Sequence, residues 1–207
     1  EYWARLLQLA EIYDFKIFAD ECYSEIYRSV PPPGALEVAA EIGADPERVV
    51  AFHSLSKRSN LPGLRSGFVA SGSRNISQIK QLRAYAGCPV AGPIQDVSAK
   101  VWADEEHVVA NRQLYCAKFE ASDHIFAGID AYNSPQAGFF LWLPVEDDQI
   151  ATLKLWTEKG VRVLPGSYLG QIANEQNPGS GYVRVALVAP KEETQRGLTI
   201  IRDCLYK

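Results

Sequence analysis

A lysine in a loop rich in hydroxyl groups is the strongest chemical feature of this sequence. Lys57 follows the apolar run of residues 49–52, and Arg65 comes eight residues after it. Ser54 and Ser56 stand just before the lysine. A lysine is nucleophilic only as the neutral amine, which an apolar surrounding and neighbouring cations favour. Because hydroxyl groups, glycines and an arginine fork suit an anion, the segment indicates a reactive amine beside a phosphate or carboxylate.

Taken singly, each candidate residue also has an ordinary interpretation. Lys57 alone would be a surface cation, and Asp20, which ends an apolar run, would be a helix N-cap. Arg184, in the apolar residues 181–187, would be a strand arginine paired with a nearby acid. His53 precedes the loop hydroxyls, and we interpret it as a structural imidazole.

These side chains need strands and helices to bring them together, and the hydrophobic pattern predicts such elements. Strands alternate with helices in the first half, which favours an α/β fold with a mostly parallel sheet. The glycines and prolines of residues 87–93 break this pattern, and a small α+β unit follows. The predicted strands are residues 15–19, 49–52, 67–70, 139–143, 161–164 and 182–187. The predicted helices are residues 3–12, 73–85, 94–120 (one helix or a pair), 148–159 and the stretch from 191.

Composition and charge argue against several classes of protein. With 47% hydrophobic and 22% charged residues among 207, the chain is globular rather than disordered. The net charge of −4 argues against nucleic-acid and membrane-surface partners, and no apolar run approaches the ~20 residues of a membrane-spanning helix. The four cysteines form neither a CxxC pair nor a metal site with the three histidines. We therefore expect reduced thiols, no bound metal and a cytoplasmic protein.

The pattern around the lysine resembles the cofactor-lysine signature of class I/II pyridoxal-phosphate-dependent aminotransferases of fold type I. That signature has a hydroxyl residue three positions before the lysine, a small residue just before it and an arginine eight positions after it, and this sequence has Ser54, Ser56, Lys57 and Arg65 in those places. Residues 60–63 match as well, whereas Ser66 departs mildly from the apolar residue usual there. The resemblance implies that Lys57 is the catalytic residue and carries pyridoxal 5′-phosphate. It assigns cofactor binding also to Ser54, Ser56 and Arg65.

Two further stretches resemble the same family. Asp20 and Tyr23 fit its Asp-x-x-Tyr element, in which the carboxylate keeps the cofactor's ring nitrogen protonated and the phenol binds the ring oxygen. Arg184 stands where the family has an arginine that clamps the α-carboxylate of the substrate. The implied activity is transamination between an amino acid and a 2-oxo acid.

The resemblance also implies a domain organisation. Residues 1–92 would be the carboxy-terminal portion of the large cofactor-binding domain, and residues 93–207 an interdomain helix and the small domain. The chain opens without Met in a helical pattern, and family members are roughly twice as long, so we expect a fragment of a longer protein. The absent half would supply a phosphate-binding helix N-terminus, and a partner subunit of a homodimer would complete the site. We therefore expect the 207 residues alone to bind cofactor poorly.

Substrate and exact function have several interpretations. Residues 138–143, 161–170 and 177–188 resemble succinyldiaminopimelate aminotransferases of bacterial lysine biosynthesis, which use 2-oxoglutarate. Aspartate, alanine and aromatic aminotransferases stay open, as do lyases with the same lysine signature. A transcription regulator with an aminotransferase-like sensor domain, or a structural relic, are further alternatives. The intact set Asp20, Tyr23, Lys57, Arg65 and Arg184 argues against a relic.

Overall fold

The computed structural model describes residues 1–206. The chain forms two units, Glu1–Asn111 and Arg112–Lys207, and each contains a three-stranded sheet. The strands are β1 Ile17–Asp20, β2 Val49–Ser54, β3 Gly67–Ser71, β4 Phe140–Pro144, β5 Leu164–Pro165 and β6 Tyr182–Ala186. The helices are α1 Tyr2–Ile12, α2 Ala35–Glu41, α3 Leu55–Arg58, α4 Ser73–Tyr85, α5 Gly92–Ala103, α6 Glu106–Ile125, α7 Asp148–Lys159 and α8 Lys191–Leu205.

The first sheet has the strand order β1-β2-β3. β1 and β2 are parallel as expected, with Asp20 opposite Phe52. β3 is antiparallel to β2, with Gly67 opposite Ser54, so these three strands form a mixed sheet and not a mostly parallel one. The connection explains this difference. After β2 the chain folds into α3 and the 3₁₀ turn Pro62–Leu64 and reverses, without the crossover helix that a parallel neighbour usually needs.

One face of the first sheet carries the core of the first unit. Ile17 and Ala19 of β1 are buried, whereas Phe18 between them is exposed, as alternation along a strand requires. Leu7 and Ala10 stand three positions apart in α1, on one helical face, and pack in the same cluster with residues of α2. The covered face therefore fixes which side chains of β1 point into the core and which point away from it.

The second unit has an antiparallel sheet with the order β4-β6-β5. Its core includes the inward-facing strand residues Leu141, Leu143, Val183 and Val185, together with residues of α7 and α8. The Asp147 carboxylate caps α7 by accepting hydrogen bonds from the backbone N–H groups of Gln149 and Ile150. α7 ends at Gly160, whose φ of +66° suits a residue without a side chain. This is the small α+β unit that the sequence predicts.

Two predicted helices have the observed bounds, one predicted strand begins later, and one helix is not predicted. α4 and α7 begin and end where the pattern predicts, and the stretch 94–120 is a helix pair, α5 and α6. β5 starts only at Leu164, because the Val161 N–H donates to the Leu155 carbonyl and closes the end of α7. α2, a helix of two turns, is not anticipated by the sequence pattern. The domain boundary predicted after residue 92 stays a prediction.

None of the described helices is both long and apolar enough to cross a lipid bilayer.

The buried face of α7 predicts an asymmetric response to two leucine substitutions. Leu155 is 0% exposed and Leu153 is 62% exposed. Leu155→Ala should therefore lower the free energy of unfolding by about 2–5 kcal/mol, because it leaves a cavity. Leu153→Ala, the matched control, should change it by less than about 0.5 kcal/mol. Urea unfolding of both variants measures this, and equal losses would contradict the assigned core face.

Candidate active site

The lysine loop connects β2 to β3 and begins with a capped helical turn. The Ser54 hydroxyl accepts a hydrogen bond from the Ser56 N–H at 3.1 Å, and the two hydroxyl oxygens lie 2.9 Å apart. Leu55 is fully buried and anchors the turn in the core of its unit. α3 therefore starts directly at the end of β2, and Ser54 is its N-cap. The two serines predicted to bind cofactor also form the local structure that carries Lys57.

Lys57 and Tyr23 meet at the carboxyl end of the sheet. The Lys57 Nζ atom lies 5.9 Å from the centroid of the Tyr23 ring. Tyr23 belongs to the turn that follows β1, and Lys57 belongs to the turn that follows β2. Because β1 and β2 are parallel neighbours, their carboxyl ends share one edge, which is where ligands of open α/β sheets bind.

Asp20 is the last residue of β1 and is exposed at the same edge. Its Oδ1 atom accepts a hydrogen bond from the Cys22 N–H at 3.2 Å. This bond stabilises a turn, and among the described residues no helix begins between Asp20 and Ala35. The helix N-cap interpretation of Asp20 is therefore wrong, and its carboxylate belongs to a strand end.

Cys22 is a member of this site that the sequence motifs do not reveal. Burial, followed by the hydrogen bond and charge of Asp20, raises the pKa of the Cys22 thiol to about 11, although the charge of Lys57 opposes the rise. A thiol with this pKa stays protonated at neutral pH and is a poor nucleophile. The position of Cys22 inside the Asp-x-x-Tyr element is the one signal that could have identified it.

Arg65 lies at the far end of the lysine loop. Its backbone is left-handed, with a φ of +51°, and follows the 3₁₀ turn Pro62–Leu64. The guanidinium Nη1 donates to the Pro62 carbonyl at 2.9 Å, and the side chain is exposed. Position 67 requires a glycine, because a Cβ atom there would lie 2.3 Å from the His53 carbonyl oxygen. The turn leaves a guanidinium at the surface, in a form suited to an anionic ligand.

A glutamate and a histidine join the strand ends behind the lysine loop. The Glu21 Oε2 atom lies 3.3 Å from His53 Nε2, and Glu21 Oε1 accepts from the Ala35 N–H at 2.7 Å. The His53 ring stacks on Phe68 of β3 at 4.9 Å between centroids. His53 thus contacts Glu21, which follows β1, and Phe68 of β3. This arrangement fits a structural imidazole.

Arg184 belongs to the second unit and lies on its central strand. It stands opposite Trp142 of β4 and Leu164 of β5. Its guanidinium carbon lies 4.4 Å from the centroid of the Phe140 ring. An arginine stacked on an aromatic face keeps its edge N–H groups available for a carboxylate. Arg184 is therefore suited to bind an acid group from an apolar surface.

Comparison with known proteins gives one family. A family model described as aminotransferase class I and II matches residues 1–201. An LL-diaminopimelate aminotransferase of Natranaerobius thermophilus is 31% identical over 90% of this chain and 47% of its own length. The chain spans about half the length of the curated relatives it matches.

Solved structures have the same fold. An aminotransferase of Neisseria meningitidis is 40% identical with a TM-score of 0.93, over 97% of this chain and 52% of that chain. A probable N-succinyldiaminopimelate aminotransferase of Thermus thermophilus is 26% identical with a TM-score of 0.82, over 99% of this chain and 54% of that one. These similarities confirm the expected α/β fold.

The environment of Cys22 predicts slow alkylation that depends on Asp20. With a pKa of about 11, less than about 1% of Cys22 is thiolate at pH 8.5, so iodoacetamide should modify it far more slowly than the exposed Cys88. Asp20→Asn removes a charge that raises the pKa, so Cys22 should react faster while Cys88 keeps its rate. Peptide mass spectrometry across pH 7–10 measures both thiols. Equal rates for Cys22 and Cys88 in the unsubstituted protein would contradict the assignment.

Proposed function

Since the chain belongs to the class I and II aminotransferase family, we propose that it is the cofactor-lysine part of a pyridoxal-5′-phosphate-dependent aminotransferase. The reaction moves an amino group between an amino acid and a 2-oxo acid. The observation that carries the proposal is the meeting of Lys57 with Tyr23 beside Asp20, at the carboxyl ends of two parallel strands.

The donor set at this edge fits pyridoxal phosphate. Lys57 would hold the cofactor by condensing its amine with the aldehyde and releasing water, Asp20 would keep a proton on the ring nitrogen, and the Tyr23 phenol would donate to the ring oxygen. Tyr23 lies in the turn held by the hydrogen bond from the Cys22 N–H to Asp20, so its backbone is kept near the carboxylate. When bound, the cofactor supplies an electron sink for the electron pair left at the α-carbon of the substrate.

The phosphate group has its own set of ligands on the lysine loop. Arg65 contributes a planar guanidinium, and Ser54 and Ser56 contribute hydroxyl groups on the turn that carries Lys57. A phosphate held there is tied to the same turn as the reactive amine. The loop would thus orient both ends of the cofactor relative to Lys57.

Lys57 and Arg184 act on the amino-acid substrate. Arg184 binds the α-carboxylate through paired N–H groups, which orients the α-carbon. Once the substrate has released its amine, Lys57 would take a proton from the α-carbon as general base and deliver it to the C4′ carbon of the cofactor as general acid. The opposite half-reaction would run this transfer in reverse. The same residue therefore binds the cofactor and moves the proton.

The proposed substrate is N-succinyl-diaminopimelate, with 2-oxoglutarate as the amino acceptor, in lysine biosynthesis. A similar protein named a probable N-succinyldiaminopimelate aminotransferase supports it, whereas a relative named for LL-diaminopimelate favours that competing donor. A panel of amino donors distinguishes this proposal from LL-diaminopimelate, aspartate, alanine and aromatic amino acids. The highest kcat/KM with any other donor would reject the proposed substrate and leave transamination intact.

The intact enzyme is proposed to be longer than this chain, because the chain covers 47% of one relative and 52% of one solved structure. We propose that it works as a cytoplasmic homodimer. The other half and the partner subunit would then supply further cofactor contacts. This chain alone is expected to bind pyridoxal phosphate only weakly. An absorbance titration showing full occupancy at micromolar cofactor in a folded monomer would contradict this expectation.

Substitution of the lysine tests the function directly. In this chain, borohydride reduction after incubation with pyridoxal phosphate should fix the cofactor on the peptide that contains Lys57. Lys57→Ala should remove that label and lower turnover of the longer enzyme by at least about 10³-fold, because the amine both binds cofactor and moves the proton. Lys80→Ala is the matched control, since Lys80 is an exposed lysine of α4 in the same unit. Retained transamination by the Lys57→Ala enzyme would refute the proposal.

A further inference from the structure

Arg58, the residue directly after Lys57, is almost completely buried. It is 6% exposed, which is rare for an arginine unless its charge and N–H groups are satisfied. Its guanidinium Nη1 donates to the Val101 carbonyl at 3.2 Å, and Nη2 donates to the Trp102 carbonyl at 3.4 Å. Nη2 also forms an ion pair with Glu105. Arg58 is therefore a structural part of the loop, although it belongs to no motif considered above.

The partners of Arg58 lie at the carboxyl end of α5. Val101 and Trp102 are among the last residues of α5, where carbonyl groups lack the usual partners within the helix and the helix dipole favours a cation. The guanidinium carbon also lies 4.9 Å from the centroid of the Trp102 ring. Arg58 thus caps α5 and ties α3 to it at one point.

The geometry of a one-turn helix connects this contact to Lys57. Leu55 and Arg58 are three positions apart and share the buried face of α3. Lys57 is about 100° away from Arg58 around the helix axis and about 200° from Leu55. Fixing Leu55 and Arg58 therefore fixes the rotation of the turn, and with it the direction of the Lys57 side chain toward Tyr23.

A second contact fastens the far end of the loop to the same helix. The buried hydroxyl groups of Ser66 and Ser98 share a hydrogen bond of 2.8 Å, and Ser98 is in α5. The Ser66 carbonyl accepts from the Leu55 N–H at 3.1 Å, which closes the loop on itself. Ser66 is the position where the sequence departs from the family pattern, and its hydroxyl has a specific partner here.

We propose that Arg58 is a positioning residue for Lys57, which it aims by clamping α3 to the carboxyl end of α5. The inference builds on the proposed role of Lys57 as the cofactor lysine. Arg58 touches neither cofactor nor substrate in this proposal. It acts through the turn that carries the amine.

The test measures the reactivity of Lys57 in this chain with two reagents. Pyridoxal phosphate followed by borohydride reports whether the amine is aimed at the anion site, and trinitrobenzenesulfonate reports how exposed it is. Arg58→Met keeps an unbranched side chain in the buried space but loses the clamp. Labelling of Lys57 by pyridoxal phosphate should fall by about tenfold or more, because misdirected groups lose reactivity steeply. Its reaction with trinitrobenzenesulfonate should rise toward that of exposed Lys80.

Two further variants separate positioning from general stability. Arg58→Lys keeps the charge and should recover part of the pyridoxal phosphate labelling, but not all, because one ammonium cannot reproduce the fork. Glu105→Gln removes the ion pair at a side chain that is 66% exposed, so the fold should persist. It should lower the labelling of Lys57 by about two- to threefold. Circular dichroism and urea midpoints establish that each variant is folded, and Lys80 labelling is the internal reference.

The outcomes are decisive in either direction. Wild-type labelling at Lys57 in folded Arg58→Met would overturn the inference, as would equal losses at Lys57 and Lys80. If Arg58→Met does not fold, unchanged labelling in Glu105→Gln overturns it instead. A wild-type chain that takes no pyridoxal phosphate at Lys57 contradicts the proposed function. In that case a raised trinitrobenzenesulfonate rate in folded Arg58→Met still supports the clamp, and an unchanged rate refutes it.

Discussion

The parallel pairing of β1 with β2 is the constraint on which the candidate site depends. Two strands that run in the same direction end at the same edge, so the turns that follow them begin side by side. The Glu21 N–H donates to the Phe52 carbonyl at 3.0 Å and extends the ladder one step beyond β1. A register slip of one residue would turn Asp20 into the core and Ala19 outward. The buried Ile17 and Ala19 therefore decide that the side chain of Asp20 points away from the core.

Polar residues at this edge hold the backbone as well as offering groups to a ligand. Ser54 caps α3, and Glu21 binds both the His53 ring and the N-terminus of α2. A buried polar group must find a partner, because an unsatisfied one costs about 1–3 kcal/mol. Near the lysine those partners are other loop residues and residues of α5, and these bonds restrain the loop. A loop restrained in this way loses little further conformational entropy when a ligand binds.

The sequence predicts the contiguous parts of this arrangement and not the distant ones. Lys57 and Arg65 belong to one loop and have a fixed spacing, so the sequence motif alone identifies them as candidate site residues. The bounds of α4 and α7 follow from apolar periodicity and, for α7, from an acidic cap and a terminal glycine. Arg58 reaches carbonyl groups 43 and 44 residues away. No local period encodes that contact, because it depends on how α5 packs.

The proposed chemistry divides between the two units, and this division has an energetic consequence. The groups assigned to the cofactor lie in the first unit, whereas Arg184 lies on the central strand of the second. The guanidinium of Arg184 rests on Phe140, in register with Trp142, and aromatic neighbours of this kind lower the local dielectric and strengthen a bond to a carboxylate. Its orientation depends on the core beneath β6, which includes Leu155. Loosening that core should therefore weaken carboxylate binding while the reactivity of Lys57 stays the same, so affinity for the substrate acid and reactivity of the amine can vary independently.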